Sequence, residues 1–152
     1  MLRELNLPQY KFRFREENSK KQIFDTFRKK FIALTPEEWV RQNFLQYLYQ
    51  EKKFPLGKIA IEKEININGL KRRYDALIFD KNFNAQFIIE CKAPHIKIDE
   101  MVFEQIIAYN YKIKAPFLLL TNGLSHFCIK VDTLNKTHRF LKEIPNYSEI
   151  NC

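Results

Sequence analysis

The feature of the sequence that most constrains the fold is a helical segment between two apolar strands. Residues 85–92, AQFIIECK, form an apolar run before Pro94, and residues 116–123, PFLLLTNG, form a second run that ends in a glycine turn. Between them, residues 97–114 have the spacing of an amphipathic helix, with Asp99 as its predicted N-cap. Two strands joined by a crossover helix lie parallel, so the sequence predicts an α/β fold with a central mixed β-sheet flanked by helices.

A second helix is predicted before this unit, in TPEEWVRQNFLQYLYQEKK. Thr35 is a suitable N-cap, Pro36 fits the first helical position, and Glu38 stands where it would close a capping box. Alternation predicts one strand over residues 59–67, a turn at NGLK and a second strand over residues 74–79. Residues 125–132 read as a further strand, and the tail from residue 138 reads as a short helix that then frays.

The chain is expected to form one globular domain with an N-terminal addition. Residues 1–34 are predicted to be a basic arm that packs on the core, extended around Phe12 and Phe14 and weakly helical over residues 23–31. Residues 35–152 form the predicted domain itself. No apolar run approaches the ~20 residues of a membrane span, so no membrane partner is expected. Three widely spaced cysteines and no secretory signal favour a reduced, cytoplasmic setting.

The charge balance leaves two interpretations open. Lysine and arginine number 26 against 18 acidic residues, which gives a net charge of +8. Such a balance favours a polyanionic partner such as nucleic acid, but a generic basic surface explains it equally well. The charge therefore permits a nucleic-acid partner without requiring one.

Three charged residues stand inside the apolar strands of the hairpin RRYDALIFDKNFNAQFIIECKAP. If Asp80 and Ala85 close the KNFN loop, Asp75 lies directly opposite Glu90, and Lys92 lies on the same face of the sheet. Opposed carboxylates repel each other unless a cation lies between them. The register thus predicts a Mg²⁺ site, which Mn²⁺ can also fill, with a lysine able to act on an attacking water. The alternative is an ordinary lysine–glutamate ion pair at a strand end.

The first helix offers two acids, and their phase on the helix separates them. At about 100° per residue, Glu37 falls within the inward stripe of Val40 and Phe44, while Glu38 points away from it. The helical phase therefore favours Glu37 as the acid that faces the sheet, with Glu38 as the capping residue.

Five segments in order resemble a known family: PEEWVRQ, RRYDALIFD, FIIECKAP, EQIIAYN and LLLTNG. Together, over about residues 35–130, they resemble the N-terminal nuclease domain of type I restriction enzyme R subunits, within the PD-(D/E)xK nuclease superfamily. The resemblance implies a restriction-endonuclease-like αβββαβ core and Mg²⁺-dependent cleavage of DNA. The sequence departs from the pattern at Tyr74, which stands where the motif has proline. The helicase motor of R subunits is not found in these residues, so a free-standing member or a subunit of a larger assembly is expected.

The resemblance also assigns roles to residues of the hairpin and the first helix. Asp75 and Glu90 would be metal ligands, the carbonyl of Cys91 a third ligand, and Lys92 the catalytic lysine. Glu37 or Glu38 would be the acid of the first helix, and the helical phase favours Glu37.

Other candidates are less specific. Gln105 and Tyr109 resemble a Gln-x-x-x-Tyr element found downstream of the core in related nucleases, although Gln105 can equally be an ordinary helix-flank residue. Arg41 and Arg73 are candidate contacts to DNA phosphate, although charged strand ends and solvated faces explain these arginines equally well. The expected assembly is a homodimer or a subunit of a restriction-modification or repair complex. The alternative function is a non-catalytic nucleic-acid-binding or assembly module that keeps the nuclease fold.

Overall fold

In the computed structural model, residues 2–150 are described, and they form an α/β structure around a six-stranded mixed sheet. The helices are α1 (Pro36–Gln50), α2 (Glu100–Ile113) and α3 (Tyr147–Ile150), and a 3-10 turn covers Leu56–Lys58. The strands are β1 (Phe14–Glu17), β2 (Lys20–Asp25), β3 (Lys30–Ala33), β4 (Ile59–Ile61), β5 (Glu64–Ile67), β6 (Leu70–Arg73), β7 (Ala76–Phe79), β8 (Ala85–Cys91), β9 (Phe117–Thr121), β10 (His126–Asp132) and β11 (Thr137–Leu141). Among the described residues, no helix is long and apolar enough to cross a lipid bilayer.

The central sheet has the strand order β11-β10-β9-β8-β7-β4. Strands β8 and β9 are parallel and are joined by α2, while every other neighbouring pair in this sheet is antiparallel. The crossover therefore makes the sheet mixed, as the sequence predicts. Taken in order, α1, β4, β7, β8, α2 and β9 form the αβββαβ core, which confirms the restriction-endonuclease-like fold class.

Alternate side chains of β8 enter two separate hydrophobic cores, one on each face of the sheet. Ile89 packs in a buried cluster with Phe44 of α1, and Ile88 packs in a second cluster with Ile106 of α2. Both isoleucines are at most 1% exposed, so each face is sealed against water. This alternation sends the side chain of Cys91 into the α1 core and places Glu90 on the opposite face.

The predicted helix caps are present, but only half of the capping box forms. The hydroxyl of Thr35 accepts a hydrogen bond from the Glu38 backbone N–H at 3.0 Å, and Asp99 caps α2 through the N–H of Val102 at 3.1 Å. The Glu38 carboxylate does not return to Thr35. It accepts a hydrogen bond from Gln42 at 2.7 Å and pairs with arginines instead. The prediction of Glu38 as an outward capping residue is therefore wrong for its side chain.

The N-terminal segment differs from its prediction, because residues 23–31 belong to a β-meander and not to a weak helix. Strands β1, β2 and β3 form an antiparallel sheet in which Ile23 pairs with Ile32 and Phe24 with Phe31. Aromatic and β-branched pairs of this kind favour strands. Asp25 accepts hydrogen bonds from two backbone N–H groups of the residues that follow it, and these bonds stabilise the turn between β2 and β3.

The strand predicted over residues 59–67 is divided in two. Glu62 has a φ of 54°, and this left-handed residue separates β4, which pairs with β7, from β5, which pairs only with β6. The hairpin turns at Asn68 and Gly69, and Gly69 has a φ of 81°, a conformation that glycine adopts without strain. The small β5–β6 sheet leaves the central sheet just before the Asp75 position.

The tail also differs from the predicted short helix. Residues 137–141 form β11 at the edge of the sheet, and only residues 147–150 are helical. The predicted fraying end, with Cys152, lies outside the described residues.

Candidate active site

The paired carboxylates lie where β7 and β8 meet. Ala76 faces Ile89 in the antiparallel register, and the next residues along the two strands are Asp75 and Glu90. The Asp75 Oδ2 atom accepts a hydrogen bond from the Cys91 backbone N–H at 2.7 Å. The predicted opposition of Asp75 and Glu90 is therefore present in the structure.

The loop that closes this hairpin is one residue longer than predicted. Phe79 pairs with Ala85, and a bulge at the next step restores the register that places Asp75 beside Glu90. The Asp80–Ala85 closing pair does not form. Asp80 instead accepts hydrogen bonds from the backbone N–H groups of Asn82 and Asn84 at 2.8 and 2.9 Å, which tightens the loop.

Burial and mutual repulsion hold both carboxyl groups toward their protonated forms. Burial raises the pKa of Asp75, although its hydrogen bond from Cys91 and the charge of Arg41 oppose the rise. Burial and then the negative charge of Asp75 raise the pKa of Glu90 to about 7. The Cys91 N–H and Arg41 stabilise the Asp75 carboxylate, and the Asp75 charge raises the pKa of Glu90, so the one proton that the pair shares lies on Glu90.

Each of the two carboxylates has an arginine beside it. Arg72 lies 3.3 Å from a Glu90 oxygen, and Arg41 lies 3.4 Å from an Asp75 oxygen. The Arg72 guanidinium stacks over the Tyr109 ring at 4.0 Å, which fixes it above the sheet. These cations offset part of the repulsion, since both lower the pKa of their partners.

Arg41 is not placed to contact DNA, contrary to the prediction. Its side chain is 9% exposed and pairs with Glu38, with Glu62 at 3.2 Å and with Asp75. A guanidinium with three carboxylate partners inside the protein acts on the neighbouring charges instead of on phosphate.

Lys92 lies next to this charge cluster but has no carboxylate partner of its own. It is half-buried, and its side chain makes no ion pair with another described residue. Its charge nevertheless lowers the pKa of Glu37, Asp75 and Glu90, which places the ammonium among these three acids. The Lys92 N–H donates to the Thr121 carbonyl at 2.8 Å, so the backbone is held by the sheet.

The two acids of α1 point to different surroundings. Glu37 is exposed, yet partial burial and then the negative charge of Asp75 raise its pKa, while Lys92 lowers it. Glu38 is 4% exposed and pairs with Arg28 at 3.1 Å and with Arg41. Glu37 is thus the α1 acid beside the carboxylate pair, on the side that the helical phase favours.

The remaining predicted residues surround the cluster at greater distance or with other partners. Gln105 is exposed and makes no hydrogen bond with another described residue. Tyr109 is half-buried beneath Arg72, and Arg73 pairs with Glu62 at 2.6 Å while remaining mostly exposed. The Cys91 side chain is fully buried on the far face, so only its backbone reaches the site. The roles of these four residues remain predictions.

Sequence reasoning missed the arginine and the acid that complete the charge network. Arg28, in the turn after β2, pairs with Asp25, with Glu38 and with Glu62 at 2.9 Å. Burial would raise the pKa of Glu62, but Arg41, Arg28 and Arg73 outweigh it and lower the pKa. No local pattern joins these residues, because they come from three segments distant in sequence.

The family of the chain follows from its sequence as a whole. Residues 36–145 match the profile of the type I restriction enzyme R protein N terminus (HSDR_N). The chain belongs to this family. A search of curated protein sequences found no significant match. The family match covers α1, the hairpin with both carboxylates, α2 and β9, so the predicted resemblance is confirmed at the level of the family.

Two solved structures share the fold. One is a fragment provisionally assigned as the HsdR subunit of a type I restriction enzyme from Vibrio vulnificus YJ016, with a TM-score of 0.55, 17% identity and 78% of this chain covered. This chain spans 25% of the length of that one. The other is a provisionally named nuclease of the DUF820 group from Anabaena variabilis ATCC 29413, with a TM-score of 0.50 and 12% identity over 90% of this chain and 88% of that one. At these sequence identities, the two matches show that this chain has the same fold as those two proteins.

The carboxylate pair suits a hard divalent cation. Among residues 2–150, no three His, Cys, Asp or Glu side chains are close enough to form a metal cage. Mg²⁺ and Mn²⁺ do not need one, because they bind through one or two carboxylates, carbonyls and water. Two adjacent carboxylates that repel each other, with the backbone carbonyl of Cys91 directly after Glu90, fit this donor set.

Replacing the two α1 acids should separate stability from function. We expect Glu38→Gln to lower the free energy of unfolding by about 2 kcal/mol, because it removes the buried carboxylate that Arg28 and Arg41 share. Glu37→Gln should change stability by less than about 0.5 kcal/mol, since this side chain is exposed. Urea unfolding of both variants measures the difference, and equal losses would contradict the assignment of Glu38 to the buried network.

The raised pKa of Glu90 predicts how stability depends on pH without metal. The folded state holds the proton more tightly than the unfolded chain, so its contribution is complete below about pH 4.5 and is lost as the pH rises through about 7. In EDTA, wild type should lose up to about 3 kcal/mol relative to Glu90→Gln across this window. Parallel pH profiles for wild type and Glu90→Gln would refute the shared-proton pair.

Proposed function

We propose that this chain is a metal-dependent endonuclease domain that hydrolyses phosphodiester bonds in DNA. The observation that carries the proposal is the combination of two adjacent carboxylates, the half-buried Asp75 and the buried Glu90, with a lysine beside them that forms no ion pair with another described residue. A structural ion pair would place Lys92 on one of the acids, but Arg72 and Arg41 occupy those positions. Lys92 is therefore available to a substrate.

Asp75 and Glu90 would hold Mg²⁺ or Mn²⁺, with the Cys91 carbonyl as a third ligand. The bound cation supplies Lewis-acid chemistry that makes water a better nucleophile and stabilises negative charge on the phosphate. Both carboxylates must be ionised to bind it, so binding releases the proton that Glu90 holds. The hydrogen bond from Cys91 to Asp75 keeps this carboxylate oriented before the cation arrives.

Lys92 and Glu37 would act on the reacting groups. The Lys92 ammonium can donate a hydrogen bond to the attacking water or to the phosphate oxygens, where negative charge grows in the transition state. Glu37 lies close enough to Asp75 and Lys92 for both charges to change its pKa, so it can position the lysine or a water. Both side chains come from rigid elements, the end of β8 and the first turn of α1, which fixes their separation.

DNA would be held by the basic surface. Arg72 is 24% exposed and stacked on Tyr109, so once a cation neutralises Glu90 its guanidinium can turn to a phosphate oxygen. Arg73 and Gln105 are exposed, and they remain candidate contacts. We also propose that the chain works in the setting of a type I restriction complex, as its family name suggests.

The second candidate function is a non-catalytic DNA-binding module. The arginine partners of Asp75 and Glu90 favour it, because guanidinium groups can satisfy both carboxylates without a metal. Cleavage assays separate the two functions, since only the nuclease requires Lys92 and a divalent cation.

Binding of Mn²⁺ should stabilise the protein. Millimolar Mn²⁺ at tenfold excess over its dissociation constant should raise the melting temperature by about 3–5 °C, and the rise should be larger at about pH 8 than at about pH 6. The measurement is differential scanning fluorimetry in EDTA and in Mn²⁺.

Asp75→Asn is the matched variant for this titration. It keeps an oxygen that can accept the Cys91 N–H but removes one ligand charge, so it should abolish the Mn²⁺-dependent rise. An equal rise in wild type and Asp75→Asn would place the cation elsewhere.

Removal of the lysine should separate catalysis from binding. Lys92→Ala should reduce plasmid nicking in Mg²⁺ or Mn²⁺ by at least about a hundredfold, because one hydrogen-bond donor to the transition-state charge contributes on this scale. DNA affinity should change little, since binding comes from a surface of net charge +8 and falls with salt.

Lys53→Ala is the control, because Lys53 is exposed and stands in the other Glu-x-Lys sequence of the chain, where it hydrogen-bonds the Gln50 carbonyl at 2.7 Å. It should alter neither nicking nor binding. Equal nicking by wild type and Lys92→Ala would reject the catalytic role, and DNA binding without nicking by wild type would favour the non-catalytic module.

A further inference from the structure

A cleft of about 680 Å³ is formed in part by the two segments that carry Glu37 and Lys92. It is built by the N-terminal meander, the start of α1 and the loop after β8, and neither the sequence motifs nor the carboxylate site accounts for it. Its aromatic and charged lining comprises Arg3, Phe14, Arg15, Glu16, Lys21 and Trp39.

Two residues of the cleft wall stand close to candidate site residues in the sequence. Pro36 in its wall is followed directly by Glu37, and Pro94 lies two residues after Lys92. The cleft wall and the groups proposed to act on phosphate therefore share two short segments of the chain. Its size matches the range of about 300–1,000 Å³ in which small ligands are bound.

The walls combine aromatic faces with positive charge. Phe14 is 48% exposed, and its ring lies 6.3 Å from the ring of Trp39. The Trp39 indole N–H already donates to the Arg3 carbonyl at 2.9 Å, so this side chain offers a ligand its ring and not a hydrogen bond. Three cationic residues line the cleft against one carboxylate, Glu16.

We propose that this cleft takes an unpaired nucleobase of single-stranded DNA next to the bond that is cut, an inference that rests on the proposed function. Aromatic faces bind bases of any sequence by stacking, and nearby cations hold the backbone that carries them. A paired base is stacked inside the duplex and presents no free face to Phe14 or Trp39. The preferred substrate is therefore DNA with an unpaired stretch beside the cleaved bond, which a negatively supercoiled plasmid also exposes.

Trp39 is the sole tryptophan of the chain, so its emission reports directly on the cleft. In EDTA, where no cleavage occurs, an oligothymidylate of about twelve nucleotides should quench this emission to saturation, and a blunt duplex of equal length should bind at least about tenfold more weakly. Phe14→Leu should raise the dissociation constant for the single strand about tenfold, because leucine fills space but does not stack.

Phe140→Leu is the matched control, since Phe140 is 52% exposed but lies on β11 away from the cleft. It should leave the affinity unchanged. If Phe14→Leu fails to fold by its melting curve, Lys21→Gln replaces it, with an expected loss of about threefold and a salt dependence reduced by about one ion.

Three outcomes would overturn the inference: no change in Trp39 emission when DNA binds, equal binding of duplex and single strand, or equal effects of Phe14→Leu and Phe140→Leu. The plasmid assay tests the proposed nuclease function independently of the cleft. Quenching by single strands without nicking would refute the proposed nuclease function alone, and nicking without quenching would refute the cleft alone.

Discussion

The structure depends on how the protein tolerates Asp75 and Glu90 side by side in a nearly water-free position. Each carboxylate loses hydration on folding, and each repels the other, so the pair is held at the expense of stability. Two features make it tolerable: Glu90 keeps a proton up to about pH 7, and Arg72 and Arg41 each stand beside one acid. A site that is destabilised without metal gains affinity for a cation that replaces the proton and relieves the repulsion.

The same charges connect the N-terminal meander to the core. Arg41 reaches Asp75 from α1, and Glu38 and Glu62 hold Arg41 in place. Arg28, at the turn after β2, pairs with those same two acids and so connects the meander to the site. The ion pairs form one network from the N-terminal sheet to the carboxylate pair. A change in the meander can therefore alter the electrostatics of the site without touching it.

The features of the fold and the site that could be predicted from the sequence are those that depend on local residue patterns. The crossover helix, the Thr35 cap and the apolar alternation around Asp75 and Glu90 each follow from spacing within one or two elements, and together they give the fold and the centre of the site. The helix expected over residues 23–31 was wrong because a short run rich in Phe, Lys and Ile suits either structure, and the cross-strand pairs that decide it are tertiary. The roles of Arg28, Arg41 and Glu38 could not be predicted, since ion pairs between distant segments produce no periodic pattern in the sequence.

The central claim is that a divalent cation takes the place of the shared proton and of the arginine contacts at Asp75 and Glu90. Crystals grown with Mn²⁺ and measured near its absorption edge test this most directly. We expect one anomalous peak within about 2.3 Å of a carboxylate oxygen from each residue, with Arg72 moved off Glu90. A structure at the same Mn²⁺ concentration with no peak there, and with Arg72 and Arg41 still paired to the two acids, would contradict the account.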